Sequence, residues 1–255
     1  MNAVGTVAKC WRYPVKSMQG LPQGELSITA AGVDGDRAWA VIDIAANRIL
    51  SAKRTGALLG ARASDHVIEL PNGSTIVLGD PDASLALSRW LTRDVRLVRP
   101  RSGEQLAYQM TFDPPNDDAE YFDIPSPEGS SLDLAPLHLV TTATFGGCAT
   151  ARPDLDWDVR RFRPNLVIDL EGQASCEDRW SGHAAQVGNQ VVLDVLQPTV
   201  CCAMPLRAQP GLQRQPRLFS ALNELNTAFP NHLGVYAQVR TPGPIRVGDP
   251  VMLLS

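Results

Sequence analysis

Short apolar runs recur along almost the whole chain, and Gly, Pro, Asn or Asp separates each run from the next. Many of the runs alternate apolar and polar residues or are rich in Val and Ile, which is typical of β-strands. Short strands with turn residues between them predict barrel or barrel-like β architecture. The clearest runs are VGTVAKCWRYPV, GELSITAAGV, RAWAVID, HVIEL, STIVLGD, VRLVRP, NLVID, QVVLDVL, GVYAQVR and DPVMLL.

Helical patterns are few. PDASLALSRWL, with Asp82 as its expected N-cap, and PRLFSALNELNTAF space their apolar residues as helices do. A weaker helical signal follows TTATF. The predicted fold class is therefore mainly β with a few short helices.

The chain has 255 residues, which suits one large domain or two small domains that share an interface. The segment TFDPPNDDAEYFDIPSPEGSSLDLAP is rich in Pro, Asp and Ser and has no period, so it predicts a long loop or linker. We place the domain boundary in this region, between Arg101 and Asp133, and predict domains 1–105 and 106–255. We expect them to pack closely, because so short a chain gains little from separate cores.

Composition excludes several classes of function. A net charge of −4 and a pI of about 5.6 lack the basic character of a nucleic-acid binder, so a small-molecule ligand is expected. No apolar run is long enough to span a membrane, and the N-terminus does not read as a signal peptide, which predicts a soluble cytoplasmic protein. The five cysteines include no CxxC pair, which argues against structural zinc or an iron–sulfur cluster. The common hydrolase, nucleotidase and dinucleotide-binding motifs are absent from the sequence.

Two neighbouring cysteines, Cys201 and Cys202, lie in LQPTVCCAMPLRAQPG. Neighbours on a strand point to opposite faces, so at most one of the two faces a given pocket. In one interpretation they are simply two small apolar residues, one buried in the core and one on the surface. The other is a thiolate held at a strand end, between Pro198 and Pro205, where it suits a thiophilic metal.

Basic residues stand beside Gly or Pro turns at several strand ends. Lys16-Ser17 follows YPV, Arg37 lies in GVDGDRAW, and Arg163 precedes Pro164. Such side chains can pack their stems below and aim their charged ends at a phosphate. The alternative is solvated charge or ion pairing, for example with Asp36. The four histidines are scattered, and His138 is predicted to be a hydrogen-bonded core residue rather than a metal ligand.

The order of these motifs resembles a known family. YPVKSMQG and GVDGDRAWAVID resemble the N-terminal β-barrel domain that precedes many MOSC domains. LAPLHLVTTATF, RRFRPNLVID, EDRWSG, PTVCCAMP, GVYAQV and PGPIRVGDPVMLL resemble the MOSC domain itself. The resemblance covers essentially the whole chain and implies an N-terminal β-barrel domain packed on a MOSC β-barrel domain. It is strongest to the amidoxime-reducing proteins, in which a protein cysteine binds the molybdenum of a pterin cofactor.

The resemblance also implies roles for single residues. It assigns the metal-binding, catalytic cysteine to Cys202. It implies that residues of both domains contact the phosphate of the cofactor, and that further residues nearby contact the cofactor as well. Relatives usually carry Arg where this chain has Cys201, which removes one donor and places a second thiol beside the site. The implied cofactor-binding residues are Lys16, Ser17, Arg37, Leu134, Ala135, Arg163, Val200, Cys201 and Tyr236.

The implied function is an oxidoreductase that binds the molybdenum cofactor (Mo-molybdopterin) and reduces N-hydroxylated substrates. The redox chemistry is the cofactor's, and the protein supplies ligand, position and electrostatics. Electrons would come from an external flavin or iron–sulfur protein, because the chain has no ferredoxin-like cysteine cluster. Two alternatives stay open, a sulfur carrier with a reactive cysteine, as in cofactor sulfurases, and a non-catalytic cofactor-binding or storage protein.

Overall fold

The computed structural model describes residues 3–254 and is mainly β, as the sequence predicts. All ten apolar runs contain a strand, and the three helical patterns form α1, α2 and α4. The strands of the described range are β1 (Ala3–Arg12), β2 (Leu21–Gln23), β3 (Glu25–Thr29), β4 (Gly32–Val33), β5 (Ala40–Asp43), β6 (Arg48–Ile49), β7 (Arg62–Ala63), β8 (Val67–Glu69), β9 (Thr75–Val77), β10 (Val95–Val98), β11 (Ala107–Met110), β12 (Phe122–Pro125), β13 (Leu137–Thr141), β14 (Leu166–Asp169), β15 (Ala184–Val187), β16 (Val191–Val200), β17 (His232–Thr241), β18 (Gly243–Arg246) and β19 (Pro250–Leu254). The helices are α1 (Ala83–Leu91), α2 (Thr142–Ala151), α3 (Val159–Phe162) and α4 (Arg217–Leu225), with 3-10 turns at Gly56–Gly60, Cys176–Trp180 and Met204–Leu206.

Seven strands close into a barrel in the order β14-β13-β17-β16-β15-β19-β1, because β1 pairs with β19 on one side and with β14 on the other. Neighbouring strands are antiparallel except β13 and β14. Closure leaves no unpaired sheet edge. The core inside contains Val7, Leu139, Ile168, Leu193 and Val235, each at most 1% exposed. The first strand of the chain is therefore part of the barrel that the second half of the chain builds.

Three small sheets and a hairpin cover the rest of the chain. Sheets β10-β5-β6 and β7-β8-β9 surround a second core that contains Met18, Leu58, Leu59, Ile68 and Leu87. The third sheet, β18-β3-β4, joins a strand near the C-terminus to the first hairpin. The two cores meet where β1 runs into the turn that follows it. The backbone N–H of Lys16 in this turn donates to Trp39 O at 2.8 Å.

One local prediction is wrong, and a second is confirmed in position only. Phe122–Pro125, expected in a long loop, forms β12 and pairs antiparallel with β11. The partner strand lies outside the Pro- and Asp-rich segment, so the segment alone gives no pairing signal. Asp82 stands at the N-cap of α1, but its side chain makes no capping hydrogen bond. Asp80 Oδ1 instead accepts from the backbone N–H of Asp82 at 2.8 Å.

In the described range, no helix has the length and apolar character needed to cross a membrane. The division of the chain at residue 105 stays a prediction. The β11–β12 hairpin, which follows that point, buries Tyr108 against Ala40, Ile42 and Ile49 of the preceding sheet.

Candidate functional site

A cleft of about 790 Å³, including its opening to solvent, lies where the two cores meet. Residues from both halves of the chain line it, and all ten residues singled out in the sequence are among them. They are Lys16, Ser17, Arg37, Leu134, Ala135, Arg163, Val200, Cys201, Cys202 and Tyr236. The fold thus brings together residues that are separated by up to two hundred and twenty positions in the sequence.

Three of these residues have left-handed backbone conformations. Their φ angles are 69° for Ser17, 49° for Arg37 and 57° for Arg163. Each such conformation costs a non-glycine residue of the order of 1–3 kcal/mol, and such strain is concentrated at functional sites. Backbone hydrogen bonds hold two of them, from Arg37 N to Tyr13 O at 2.7 Å and from Arg163 N to Val159 O at 3.0 Å. The strained turns direct these side chains into one cleft.

The buried ring of Tyr13 supports both guanidinium groups. Arg37 Cζ lies 4.9 Å and Arg163 Cζ 4.2 Å from the ring centre, on a residue whose hydroxyl donates to Pro164 O at 3.0 Å. Cations over a tyrosine face are attracted by the ring's quadrupole. Burial, and then the charge of Arg37, lower the pKa of Arg163 to about 10. The two like charges repel each other, and the carboxylate of Asp36, which pairs with Arg37, compensates only one of them.

Three buried polar atoms of cleft-lining residues have no hydrogen-bond partner within the described residues: Arg161 Nε, Arg163 Nη2 and the Thr199 hydroxyl. Arg163 Nη1 donates to Met18 O at 2.6 Å, but Nη2 donates to nothing. The hydroxyl of Thr199, which also lines the cleft, has no partner either. Buried polar groups are almost always satisfied in native proteins, so orphaned donors at a cleft indicate a ligand with acceptor oxygens.

A second cationic cluster, which sequence reasoning missed, centres on Asp133. Lys16 Nζ lies 2.5 Å from Asp133 Oδ1, and Lys53 Nζ lies 3.0 Å from Oδ2. The two ammonium groups also lie 4.9 and 4.1 Å from the ring centre of Tyr108. Burial lowers the pKa of Lys16 to about 8, although Asp133 opposes the shift. Burial alone would raise the pKa of Asp133, but Lys16 and Lys53 hold it well below its usual range.

The charges of the two clusters do not balance. Lys16, Lys53, Arg37 and Arg163 contribute four cations, while the carboxylates paired with them are Asp36 and Asp133. Two positive charges remain, in side chains of which Lys16, Lys53 and Arg163 are less than a tenth exposed. A buried excess of charge is unfavourable unless a counter-charge binds. An anion with about two negative charges would neutralise this excess.

The two cysteines face different surroundings. Cys201 is 7% exposed and packs with Val140, Cys148 and Leu206, and burial raises its pKa far above the usual value. Cys202 is partly exposed and packs at the edge of the other core. The expectation that at most one of the two cysteines faces a given pocket is wrong, because both line the cleft. Strand β16 ends at Val200, so the alternation of side chains along a strand does not apply to them. Cys202 is the thiol that a ligand can reach.

The aromatic and imidazole groups of the cleft are uncharged at neutral pH. His138 is buried and its Nε2 lies 2.9 Å from Leu233 O; burial lowers its pKa to about 4. Its core placement agrees with the sequence prediction. Burial and the nearby charge of Asp133 raise the pKa of Tyr236 well above its usual value, so its hydroxyl stays protonated. These two side chains add polarity to the wall without adding charge.

Arg161, two residues before the predicted Arg163, supports a wall of the cleft. Its side chain is fully buried, and it donates to Pro205 O at 3.1 Å and to Gln213 O at 2.9 Å. It thus holds the turn that follows Cys202.

No signal in RRFRP distinguishes the roles of Arg161 and Arg163, and SAKRTG gives no sign that Lys53 is buried. Asp133 directly precedes the predicted Leu134-Ala135, and this position is the one sign in the sequence that Asp133 belongs to the cleft.

Comparison with known families agrees with this assembly. Residues 4–98 match the MOSC N-terminal beta barrel domain, and residues 130–252 match the MOSC domain. The chain belongs to the MOSC-domain family. The two matched regions contain every predicted site residue, and the β11–β12 hairpin lies between them.

Curated relatives of this MOSC protein include the human mitochondrial amidoxime-reducing component 1, which is 25% identical over 302 residues and covers 100% of this chain and 85% of its own length. The human mitochondrial amidoxime reducing component 2 is 24% identical over 292 residues, covering 98% of this chain and 84% of its own. Among solved structures, the YUAD protein from Bacillus subtilis has a TM-score of 0.50 at 12% identity, covering 98% of this chain and 94% of its own. That likeness shows the fold alone.

Proposed function

We propose that this MOSC protein binds the molybdenum cofactor in the cleft and uses it to reduce N-hydroxylated compounds with electrons from an external donor. The observation that carries the proposal is the pair of uncompensated buried positive charges beside one accessible thiol. The similarity to amidoxime-reducing components suggests the reaction class.

The residues present fit such a group. A phosphate supplies the two negative charges and the acceptor oxygens that Arg163 Nη2 and the Thr199 hydroxyl lack. Cys202 supplies a soft thiolate, which suits molybdenum among the ligands that the cleft offers. Serine at position 17 accepts from Ala52 N at 3.0 Å, so its side chain fixes the turn beside Lys16.

The chain's own residues would position and neutralise the group. When bound, the cofactor supplies two-electron oxygen-transfer chemistry. Arg37 and Arg163, whose guanidinium groups lie over the ring of Tyr13, would hold the phosphate, and Cys202 would hold the metal. His138, uncharged, and Tyr236, protonated, would keep the wall free of further charge, so that the cationic excess acts only on the anion.

The test is turnover of protein purified from a host that makes the cofactor. We expect an aryl amidoxime to be reduced to the amidine with a reduced viologen dye or a flavin or iron–sulfur donor. NADH alone should give no turnover, because the sequence carries no dinucleotide-binding motif. A fully molybdenum-loaded sample whose metal no donor can cycle would contradict the oxidoreductase proposal. A persulfide on Cys202, found by mass spectrometry, would then favour sulfur transfer.

A further inference from the structure

Arginines are concentrated in one short stretch of this acidic chain. Residues 89–101 contain five of them, although the whole protein has a net charge of −4. Arg96, Arg99 and Arg101 are exposed and line one shallow groove. Within residues 3–254, none of their three guanidinium groups has a carboxylate within 4 Å, whereas the guanidinium of Arg93 pairs with Asp43 at 3.1 Å. These three positive charges are therefore free to meet an external partner.

The floor of this arginine groove is apolar. Trp39, Ile42, Leu97, Val98 and Leu106 contribute to it. Strand β10, which carries Arg96, is at the edge of its small sheet. Glu104 also lines the groove, and its carboxylate accepts from the backbone N–H of Arg101 at 3.0 Å. An apolar centre with charged residues around it is the usual anatomy of a protein-binding surface.

The floor of the groove is one layer of side chains away from the cofactor cleft. Trp39 O accepts from the backbone N–H of Lys16, which lines the cleft. Ile42 packs against Tyr108, and Leu106 packs against the same cluster. The ring of Tyr108 also contacts the ammonium groups of Lys16 and Lys53, which line the cleft. A redox group held at the groove would thus lie close to the cofactor, as electron transfer between proteins requires.

We propose that the arginine groove is the docking site of an acidic electron-donor protein that carries a flavin or an iron–sulfur cluster. This proposal rests on the function proposed above, because it names the partner of that oxidoreductase. Two electrons cleave the N–O bond, and they come from one flavin hydroquinone or from two reduced iron–sulfur proteins that bind in turn, each donor being oxidised. The oxygen leaves as water with two protons from the solvent. Unpaired arginines steer an acidic partner, and the apolar floor excludes water once it is bound.

Binding tests the surface without any need for the cofactor. The variant Arg96→Glu/Arg99→Glu is compared with Lys9→Glu/Arg179→Glu, which changes the charge equally at exposed barrel positions that lack ion-pair partners in the described chain. The probes are an acidic [2Fe–2S] ferredoxin and an acidic flavodoxin, titrated at low and at physiological ionic strength. We expect the groove variant to weaken binding by about tenfold or more and to lose most of the salt dependence. The control pair should bind like the wild type.

Equal binding by wild type and groove variant, or no binding of either probe to the wild type at low salt, would overturn the proposal. It would also be overturned if the arginines governed binding of DNA or anionic vesicles but not of the acidic proteins.

The loaded enzyme gives a second, independent readout. With the acidic protein as donor, the groove variant should turn over amidoxime more slowly by the factor that it loses in binding. With a reduced viologen dye, which needs no docking surface, its rate should equal that of the wild type. Loss of both rates would contradict the docking role. If the wild type reduces amidoxime with neither donor although the groove variant still loses binding of the acidic protein, the proposed reaction is wrong. In that case the arginine groove remains the docking site of an acidic protein.

Discussion

The charge of Arg163 is costly to the cofactor-free protein. Its guanidinium is buried beside Arg37, one of its nitrogens lacks a partner, and its backbone is left-handed. Arg37, in contrast, is ion-paired with Asp36, whose side chain is only 2% exposed. Both residues are proposed to hold the phosphate, but we expect them to contribute differently to the stability of the cofactor-free protein.

We predict that Arg163→Met weakens cofactor retention by ~1.5–3 kcal/mol, the range for hydrogen bonds to charged groups. The free energy of unfolding of the cofactor-free protein should stay the same or rise, because a buried, partly unpaired charge is removed. Arg37→Met should weaken retention and also destabilise the cofactor-free protein, since it leaves Asp36 without its cation. Urea unfolding and cofactor release measure the two quantities. If Arg163→Met destabilises the cofactor-free protein as much as Arg37→Met does, Arg163 is a structural residue.

Lys16 makes retention of the cofactor depend on pH. Burial lowers the pKa of Lys16 to about 8, so between pH 7 and 9 it loses the charge that an anion needs. The dissociation constant should therefore rise in that interval, by at most about tenfold per pH unit for one proton. Lys16→Arg, which keeps its charge, should show a flatter profile. Identical profiles for wild type and variant would contradict this assignment.

In the cofactor-free protein, the lowered pKa of Lys16 makes the fold more stable as the pH rises. A lysine whose pKa is lower in the folded than in the unfolded state binds fewer protons when folded. The charge of Lys16 thus destabilises the fold below pH 8, and this effect is relieved as the pH rises from about 8 towards 10.5, the ordinary pKa of a lysine.

At the scale of single elements, α1 ends on a residue that is poorly suited to its conformation. Thr92 stands at the C-cap with φ 49°, and the backbone N–H of Arg93 behind it closes the helix on Ser88 O at 3.1 Å. A β-branched residue is strained there, and glycine is the usual choice. We predict that Thr92→Gly raises the free energy of unfolding by ~1 kcal/mol. Loading with the cofactor should not change, because Thr92 is exposed and does not line the cleft. A lower stability would show that the side chain, rather than the backbone, matters here.

Most elements could be predicted from local pattern, and the exceptions have a common reason. The long alternating runs that became β1, β16 and β17 carry their own signal. Strand β12 does not, since FDIP is flanked by Asp and Pro and becomes a strand only because β11 pairs with it. Helix α3 is also too short for periodicity to appear. Local sequence cannot report a pairing partner that lies elsewhere in the chain.

At the scale of the whole molecule, the N-terminal strand links the two halves. Because β1 pairs with both β14 and β19, residues 126–255 alone would leave two open barrel edges. We predict that this fragment is unfolded or aggregated by circular dichroism and size-exclusion chromatography. Joining residues 1–33 behind residue 255 through a short linker should restore cooperative unfolding, since Ala3 pairs beside Met252. A fragment that folds without β1 would contradict this account of the barrel.

The site shows the same dependence on the whole molecule. Local pattern alone marked Lys16, Arg37 and Cys202 only as candidates, and their order along the chain grouped them by resemblance to a family. Lys53 and Tyr108 gave no such signal, because their burial results from packing between distant segments. Charge balance in the cleft is a property of the folded molecule, and no single motif contains it.

The most direct test of the central claim is the molybdenum content of three proteins purified from a host that makes the cofactor. The wild type should contain close to one molybdenum per chain, and Cys202→Ser should lose it, because the thiolate is the proposed metal ligand. Cys201→Ser is the matched control; its thiol is buried in the adjacent core, so its metal content should stay near that of the wild type. Equal molybdenum in wild type and Cys202→Ser would contradict the account, as would loss of the metal from Cys201→Ser alone.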